Sequence, residues 1–528
     1  MHGCNGHNGK APVWRGWVAL TAALLAATLP WATARAADWD VGYEASLTAS
    51  AGSGDFAPSY LMANNHGVLT QPATTTGRFL TSGITTNSHN FSFCFGVDVI
   101  GGYAKKTGYG LYDAETATTT TRQAKNASLW IQQLYAEMAY RSVFASIGMK
   151  EEYSVIVNQE LSSGDLCMSG NSRPMPGIMV GFVDFQDIPL TGGMLQINGE
   201  VGYYKTLDGS WMEDRYNYYN SFITTDYVLH YKYLHLRTAP HLPLSVTIGM
   251  QAACQIGGTA SYYENGVLTE TITTSLSLKD YFKAFIPSSG GSAEGDQVYY
   301  EGNHLGTWDL LVRYRLPSED ELMVYYQSLW EDGSSIGKQN GWDGLYGIEY
   351  SAAYEGPIEA VVVEYLDLTN QSGPIHWAPA DYSGEGSTTI TNEATGADDY
   401  YNNYSYNGYQ YYGMSMGSPF VRSAIYNTDG YLRITDNRIR AFHIALQGHL
   451  AWNFQYRAKF GYRKSWGTPF IPLTATRSAT SFMLEGIYYV PSIDGLSVKC
   501  QFGADFGELV GKNVGGLVTV TYSGIFGK

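Results

Sequence analysis

Residues 454–463 read FQYRAKFGYR, and apolar or aromatic side chains alternate there with polar ones or glycine. A period of two is typical of a β-strand that has one apolar and one polar face. About ten residues are also the length with which a tilted strand crosses a bilayer. This stretch therefore predicts a strand whose two faces meet different surroundings, lipid or a protein core on one side and water on the other.

The same alternation recurs along the chain, in residues 244–251, 308–316, 440–450 and 518–526. Arg and Lys lie on the polar faces, as a wet lumen allows, and aromatic residues cluster near strand ends, as membrane-interface girdles require. After residue 36 no stretch approaches the ~20 apolar residues of a membrane-spanning helix. The pattern favours an all-β fold, a transmembrane antiparallel outer-membrane β-barrel, although soluble β domains would show the same alternation.

Composition narrows the class of protein. The chain has 528 residues, of which 43 are Tyr and 60 are Gly, and its charged fraction of 15% is below the ~25% of soluble domains. Its formal charge of −16 argues against a nucleic-acid partner, which needs a basic face. No haem-attachment or paired zinc cysteine spacing is present.

The N-terminus has the pattern of a secretory signal peptide over residues 1–36. Lys10 and Arg15 precede an apolar run at 17–31, and Ala34-Arg35-Ala36 forms a small-x-small cleavage site. Residues 37–528 are then expected to form a single outer-membrane barrel domain, inserted by the barrel assembly machinery. The four remaining cysteines are widely spaced, and we expect no disulfide among them: Cys94, Cys167, Cys254 and Cys500.

Motifs for catalysis or metal binding are weak. Residues 333–337 match G-x-S-x-G around Ser335, but an active serine needs a strand-to-helix turn of an α/β fold. The carboxylate pairs Glu213-Asp214 and Asp398-Asp399 are interpreted as parts of solvated polar loops. No H-E-x-x-H zinc spacing occurs. We expect no enzyme activity, no cofactor and no metal site.

Long polar stretches at 207–226, 287–307 and 370–420 alternate with short connections, as in barrels with long extracellular loops. Aromatic rings can stack on the C–H faces of sugars, and amides can bond their hydroxyls. The candidate polysaccharide-binding residues are Trp377, Tyr382, Tyr400, Tyr401, Asn402, Asn403, Tyr404, Tyr406 and Tyr409. The alternative, that these Tyr-rich loops pack on one another above the barrel, stays open.

Eight short motifs, in order over residues 44–528, resemble the Wzi family of capsule assembly proteins of Gram-negative bacteria. They are QQLYAE at 132–137, GMKE at 148–151, LSSG at 161–164, NSRPMP at 171–176, GNHLGTWD at 302–309, QSGP at 371–374, DYYNN at 399–403, and Asn437-Arg438 with His443. Ser172 stands where the family pattern leads us to expect Ala, and the chain ends Phe526-Gly527-Lys528 rather than on the aromatic residue itself.

The resemblance implies a barrel of about 18 strands in the outer membrane, acting without catalysis as a lectin that holds capsular or other surface polysaccharide on the cell. The implied partners are that polysaccharide and outer-membrane lipid, and a monomer is expected. The helices of the family's best-studied form are not carried over, because no clear amphipathic helix is visible after residue 36.

Two other functions remain open for the same fold. A porin or saccharide channel predicts steady ion conductance and lumen charges of one sign. A barrel enzyme predicts a nucleophile, base and acid that converge at the rim. A lectin predicts a lumen plugged by loops and side chains, and an acidic polymer would be repelled by this acidic chain unless a cation or a local basic patch intervened.

Overall fold

The computed structural model describes residues 39–86, 90–217, 221–285, 302–331, 333–373, 376–379, 390–395 and 398–526. The predicted signal peptide, 1–36, lies outside them. In the described residues 18 antiparallel strands form one closed barrel, because each strand pairs with the next and the last pairs with the first. This confirms the predicted fold class.

The barrel strands are β1 (Asp40–Ser53), β2 (Thr74–Thr86), β3 (Phe91–Ala104), β4 (Leu129–Tyr140), β5 (Val143–Met149), β6 (Gly177–Phe182, resumed at Gln186–Asp187), β7 (Leu195–Lys205), β8 (Val228–Thr238), β9 (Leu244–Ile256), β10 (Asn303–Arg315), β11 (Glu321–Trp330), β12 (Gly344–Ser351), β13 (Ala360–Asp367), β14 (Ile439–Ala451), β15 (Phe454–Gly467), β16 (Pro472–Tyr489), β17 (Leu496–Gly507) and β18 (Asn513–Ile525).

The predicted alternation holds in these strands. In β15, Phe460 and Tyr462 are 44% and 42% exposed on the outer wall, whereas Lys459 and Arg463, which flank them, are buried on the lumen side. Trp308 and its even-numbered neighbours in β10 likewise face outward. An apolar outer belt around a polar lumen is the arrangement that a bilayer requires.

Connections differ sharply between the two ends of the barrel. At one end eight connections span at most eight residues, among them 141–142 and 452–453. At the other end lie most of the long ones, including 54–73, 150–176 and 368–438. Outer-membrane barrels typically have short periplasmic turns and long extracellular loops, so we assign the long-loop end to the cell exterior.

This orientation predicts the labelling of two matched cysteine variants. Asp429→Cys, in an exposed part of the 368–438 loop, should react on intact cells with a membrane-impermeant maleimide. Asp494→Cys, exposed in the short turn at 490–495, should react only after the outer membrane is permeabilised. A Cys500→Ser background removes the exposed native thiol. The reverse labelling pattern would invert the orientation.

Four short helices occur in the connections of the described residues: α1 (Ser59–Met62), α2 (Gly209–Arg215), α3 (Leu278–Phe285) and α4 (Gly333–Ile336). No helix in this part of the chain is both long and apolar enough to cross a membrane. The expectation that no clear amphipathic helix follows residue 36 was wrong, because α3 is amphipathic. Its Ala284 packs with Cys254 and Ile256 on the outer wall, while Phe282 stays 75% exposed.

Small hairpins extend the rim at the long-loop end. They are the pair Gly108–Asp113 and Thr118–Gln123, the three-stranded sheet of Ser221–Thr225, Gly258–Glu264 and Val267–Thr274, and the pair His376–Pro379 and Ile390–Thr395. A further pair, Gln410–Tyr411 and Met414–Ser415, is buried within the 368–438 connection. Cys94, Cys167, Cys254 and Cys500 all carry free thiols.

Segments of three long connections fold into the barrel, and we call them together the plug: residues 54–73, 150–176 and 398–438. They bond one another, since Tyr401 donates to the carbonyl of Leu166 at 2.7 Å and His66 donates its N–H to Gly170 at 2.7 Å. Their apolar side chains share one core cluster with residues of the barrel wall.

Polar side chains of the lumen hold the plug. Asp505 of β17 accepts the backbone N–H of Ser59 at 2.8 Å and its hydroxyl at 2.5 Å. Glu364 of β13 accepts the hydroxyl of Ser162 and the N–H of Ser163, both at 2.6 Å. The polar strand faces thus bind protein within the lumen, because a buried carboxylate must find donors.

Candidate functional site

The candidate aromatic residues lie mostly inside the plug. Tyr400, Tyr401 and Tyr409 are 0% exposed and Tyr406 is 7% exposed, whereas the side chain of Tyr404 is 50% exposed. Trp377 lies in the hairpin strand His376–Pro379, with its side chain outside the described part, and Tyr382 lies outside the described residues altogether.

Each enclosed ring has a packing role. The hydroxyl of Tyr400 accepts a hydrogen bond from the Asn340 amide at 2.9 Å, and Tyr401 stacks on Tyr409 with a centroid distance of 6.2 Å. Tyr406 donates to the carbonyl of Gly257 at 3.3 Å. These rings offer no open face to a sugar, so a stacking role for them stays a prediction that requires the plug to open.

The two candidate amides also bond to protein. Asn402 donates to the carbonyl of Ile434 at 2.8 Å and accepts the N–H of the same residue at 3.1 Å. Asn403 donates to the Oδ1 atom of Asn303 on β10 at 3.2 Å. Both side chains are only half-buried, and they tie the tyrosine segment to the plug and to the wall.

A cavity of about 1680 Å³ opens at the long-loop end. It exceeds the ~300–1,000 Å³ of ordinary small-molecule pockets, so it has room for a stretch of an extended ligand. Strand ends of β3 to β8, the plug and the rim hairpins all contribute to its wall. Its lining includes these cationic and aromatic side chains: Arg122, Lys125, Trp130, Arg173, Lys205, Trp211, Arg215 and Tyr412.

Arg173 lies between two aromatic rings of this cavity. Its guanidinium is 4.8 Å from the ring centroid of Trp130 and 4.5 Å from that of Tyr412. Among the described residues, no carboxylate forms an ion pair with it and no acceptor bonds it. Burial lowers the pKa of Arg173, with partial compensation from Tyr412 and Tyr411. The cation is held by π faces alone, which leaves its five donors available.

Helix α2 supplies a second cation stacked on an aromatic ring. Arg215 lies 4.3 Å from the ring centroid of Trp211, one helical turn before it, and donates to the carbonyl of Lys125 at 3.1 Å. Side chains four residues apart share a helix face, so α2 presents both residues together. Unlike Arg173, Arg215 has an acidic neighbour, Asp214, at 3.4 Å.

Tyr412 is positioned by a buried acid. The carboxylate of Asp208 accepts the backbone N–H of Tyr412 at 3.0 Å, and the hydroxyl of Tyr412 donates to the carbonyl of Leu207 at 3.3 Å. Burial raises the pKa of Asp208 to about 6. The aromatic wall of the cavity is thus anchored from the connection between β7 and β8.

The cavity is locally basic in an acidic protein. Five cationic side chains line it, Arg122, Lys125, Arg173, Lys205 and Arg215, against three acidic ones, Glu213, Asp214 and Asp226. Asp214 forms ion pairs with two of the cations, at 3.1 Å from Arg122 and 3.4 Å from Arg215, and its single charge offsets one of them. The remaining positive charge can attract an anionic group that the rest of the chain would repel.

Only one carboxylate of each acidic pair is buried, which corrects the interpretation from sequence in part: Glu213 is exposed and Asp399 is half-buried. Asp214 is 8% exposed and ion-paired, and Asp398 is 6% exposed and accepts the hydroxyl of Ser372 at 2.5 Å. Ser335 is fully buried in α4, where its Oγ accepts the N–H of Glu331 at 2.8 Å. No group of three metal-ligating side chains occurs in the described part of the chain.

Sequence reasoning missed Trp130, Arg173 and Arg215 as site residues. Only the spacing of Trp211 and Arg215, four apart, was a local signal for a stacked pair. Arg173 and Tyr412 are 239 positions apart by numbering, and no pattern in the sequence links them.

No family model and no curated protein match the chain. Among solved structures, it is similar to Wzi of Escherichia coli, described as an outer membrane protein involved in group 1 capsule assembly and a carbohydrate-binding β-barrel. The identity is 11% and the TM-score 0.54, over 91% of this chain and 83% of that one.

The chain is also matched by OccAB2 of Acinetobacter baumannii, at 8% identity and a TM-score of 0.46, over 93% of this chain and 98% of that one. OprD of Pseudomonas aeruginosa matches at 12% identity and a TM-score of 0.43, over 94% and 98%. At these identities the likeness concerns the fold. The chain therefore has the fold of an 18-stranded outer-membrane β-barrel.

Proposed function

We propose that this protein binds a capsular or other surface polysaccharide and retains it at the outer face of a Gram-negative outer membrane, as a lectin and not as an enzyme. The observation that carries the proposal is the rim cavity, in which aromatic rings and cations face a space of about 1680 Å³ above a lumen crossed by the plug. Surface polysaccharide and outer-membrane lipid are its partners, and one chain is a complete barrel.

The chemistry of the cavity suits saccharide. Trp130 and Trp211 offer apolar faces to sugar C–H groups, and Lys125 and Arg173 offer donors to hydroxyl or acidic groups. Stacking of a flat partner on a ring contributes ~1–3 kcal/mol, and a sugar lies toward the lower end. One site is then weak, and a polymer stays attached because many repeats engage many copies at once.

A saccharide channel on the same barrel is the competing function. It needs a continuous water path, whereas the plug segments bond to β9, β11, β13 and β17 across the lumen, for instance through Asp165, Glu364 and Asp505. We therefore expect the purified protein to show no steady open-channel conductance in planar bilayers.

The deciding experiment compares cell-bound with shed polysaccharide. A double variant, Trp130→Ala with Trp211→Ala, should release polymer into the medium, because both tryptophans of the cavity are lost while the backbone pairing of the barrel strands is kept. Trp342→Ala is the matched control, since that ring is 78% exposed and is not part of the cavity. Outer-membrane protein level confirms assembly.

Retention equal to the parent in the double variant would place saccharide binding elsewhere on the surface. Normal retention in a strain that lacks the protein, together with steady conductance of the parent, would favour the channel.

A further inference from the structure

The barrel wall has a notch at the long-loop end. β4 begins at Leu129, but its pairing with β5 begins only at Leu134, opposite Met149, so that residues 129–133 pair with β3 alone. β6 begins at the same level, because its first residue, Gly177, pairs with Gly148. Between the level of these residue pairs and the long-loop end, β5 and β6 do not contribute to the barrel wall.

The lower edge of the notch, formed by β5 at Met149 and β6 at Gly177, lies within the depth of the membrane. β5 has seven residues, which at ~3.3 Å per residue and a tilt of ~40° rise about 18 Å. β3 has fourteen residues and rises about 35 Å with the same rise per residue and the same tilt. The apolar band of such barrels is about 25 Å tall. Acyl chains of the outer leaflet therefore reach the upper edge of β5 and β6.

The cavity continues through this notch to the lipid side. Ile178 and Val180 of β6 line it and are 56% and 48% exposed, and Met179 between them is buried in the lumen cluster. The alternation shows that both lining side chains point out of the barrel. At the inner end lies Arg173 of the plug, whose side chain lies against Gly67 of the 54–73 segment and whose charge has no protein counter-ion in the described residues.

Helix α3 marks the membrane surface beside the notch. It packs on the outer ends of β8 and β9, and the hydroxyl of Tyr203 on β7 donates to the carbonyl of Tyr281 in the helix at 2.9 Å. Leu278 and Phe282 point away from the barrel, 81% and 75% exposed, beside Lys279 and Lys283. Apolar side chains flanked by lysines suit a helix that rests among lipid head groups.

We propose that the cavity takes its ligand sideways from the outer leaflet, as the lipid-linked end of an acidic glycolipid. A phosphate or carboxylate of the ligand binds Arg173, the adjoining sugars lie against Trp130 and Tyr412, and an acyl chain runs through the notch over Ile178 and Val180. This inference rests on the proposed function, because it assigns the same cavity, and it adds that the bound saccharide is anionic and attached to lipid.

A free polymer accounts for only part of the lining. It explains the rings and the cation, but it makes no use of Ile178 and Val180, which line the same cavity and face the hydrocarbon of the outer leaflet. An amphiphile matches both ends, with its charge at Arg173 and its hydrocarbon at the lipid-facing wall, so that neither the anion nor the apolar surface is left unpaired.

The test uses the full mature protein in phosphatidylcholine nanodiscs and measures equilibrium binding of two probes. One is lipid A, an acylated glucosamine disaccharide that carries two phosphates; the other is the same disaccharide phosphate after complete deacylation. We expect lipid A to bind at least tenfold tighter than the deacylated probe. Arg173→Gln should weaken lipid A binding at least tenfold, and Arg173→Lys should restore part of the loss.

Arg433→Gln is the matched control, because Arg433 also lies over an aromatic ring, that of Tyr431 at 5.5 Å, but outside the cavity. It should leave binding unchanged. Equal binding of both probes would overturn the lateral route and indicate a soluble anionic saccharide. Unchanged binding in Arg173→Gln would overturn the anion site.

The two proposals fail in different ways. If the tryptophan double variant sheds polymer while neither probe binds the parent, the lectin function stands and the glycolipid inference is wrong. If lipid A binds through Arg173 but polymer retention never depends on the protein, the cavity serves a lipid ligand and the proposed lectin function is wrong.

Discussion

Replacing Glu364 by alanine is expected to free the 150–176 segment of the plug from the wall. The carboxylate accepts three buried donors, from Ser162 and Ser163 at 2.6 Å each and from the Tyr325 hydroxyl at 2.5 Å. Without it all three buried donors lose their acceptor, and each donor left unsatisfied costs about 1–3 kcal/mol. The expected readout is stepwise conductance in planar bilayers, with faster proteolysis within residues 150–176.

Two variants calibrate the Glu364→Ala result. Glu364→Gln keeps the size and one acceptor, so it should open the plug less. Glu321→Ala removes a carboxylate whose partner Arg315 is 38% exposed at the barrel end, where an ion pair contributes about 0–1 kcal/mol, and it should leave the plug closed. If Glu364→Ala behaves like Glu321→Ala, the plug is held by its apolar packing and not by this carboxylate.

Arginine at Phe460 is expected to destabilise the barrel by about 2–4 kcal/mol. Phe460 lies six residues beyond Phe454, the first residue of β15 after the short turn at 452–453, and points outward, 44% exposed. At ~2.5 Å of height per residue it lies about 15 Å up the wall, near the middle of the apolar band. Unfolding of the liposome-inserted protein in urea, followed by tryptophan fluorescence, measures the loss.

Gln455→Arg on the same strand is the matched control for Phe460→Arg. Gln455 points into the polar lumen near the short-turn end, where Arg457 and Lys459 already lie. A guanidinium there stays hydrated or paired, so the cost should be well below that at Phe460. Equal costs at the two positions would mean that β15 does not have one face in lipid.

The strands could be predicted from the sequence because a strand's two faces follow from local alternation. Residues 308–316 and 454–463 already separate outward from inward side chains, and the structure places them in β10 and β15 with those faces. The number of strands, about 18, came from the family resemblance, since many strand counts are compatible with the same pattern. The short amphipathic helix α3 was missed because eight residues among polar loops form too brief a helical period.

The candidate site, unlike the strands, could not be predicted from local sequence. A run such as Tyr400-Tyr401 is compatible with an exposed sugar platform and with a packed core, because tyrosine suits both. The decision comes from contacts such as the bond of Tyr401 to Leu166, 235 positions away. The same holds for Arg173, which the sequence shows only as part of the NSRPMP motif, whereas in the structure Trp130 and Tyr412 lie on its two sides.

By itself the sequence determined that this chain is built of two-faced strands, with an apolar face for lipid and a polar face for a lumen, because side-chain alternation is a property of neighbouring residues. Only the tertiary structure decided that three loops fold inward as a plug, that most of the tyrosines are enclosed, and that a basic cavity opens beside the short β5 and β6. Those features depend on closure of the barrel, which brings residues hundreds of positions apart, such as Ser59 and Asp505, within hydrogen-bond distance. No local pattern encodes which distant partner will cover a given side chain.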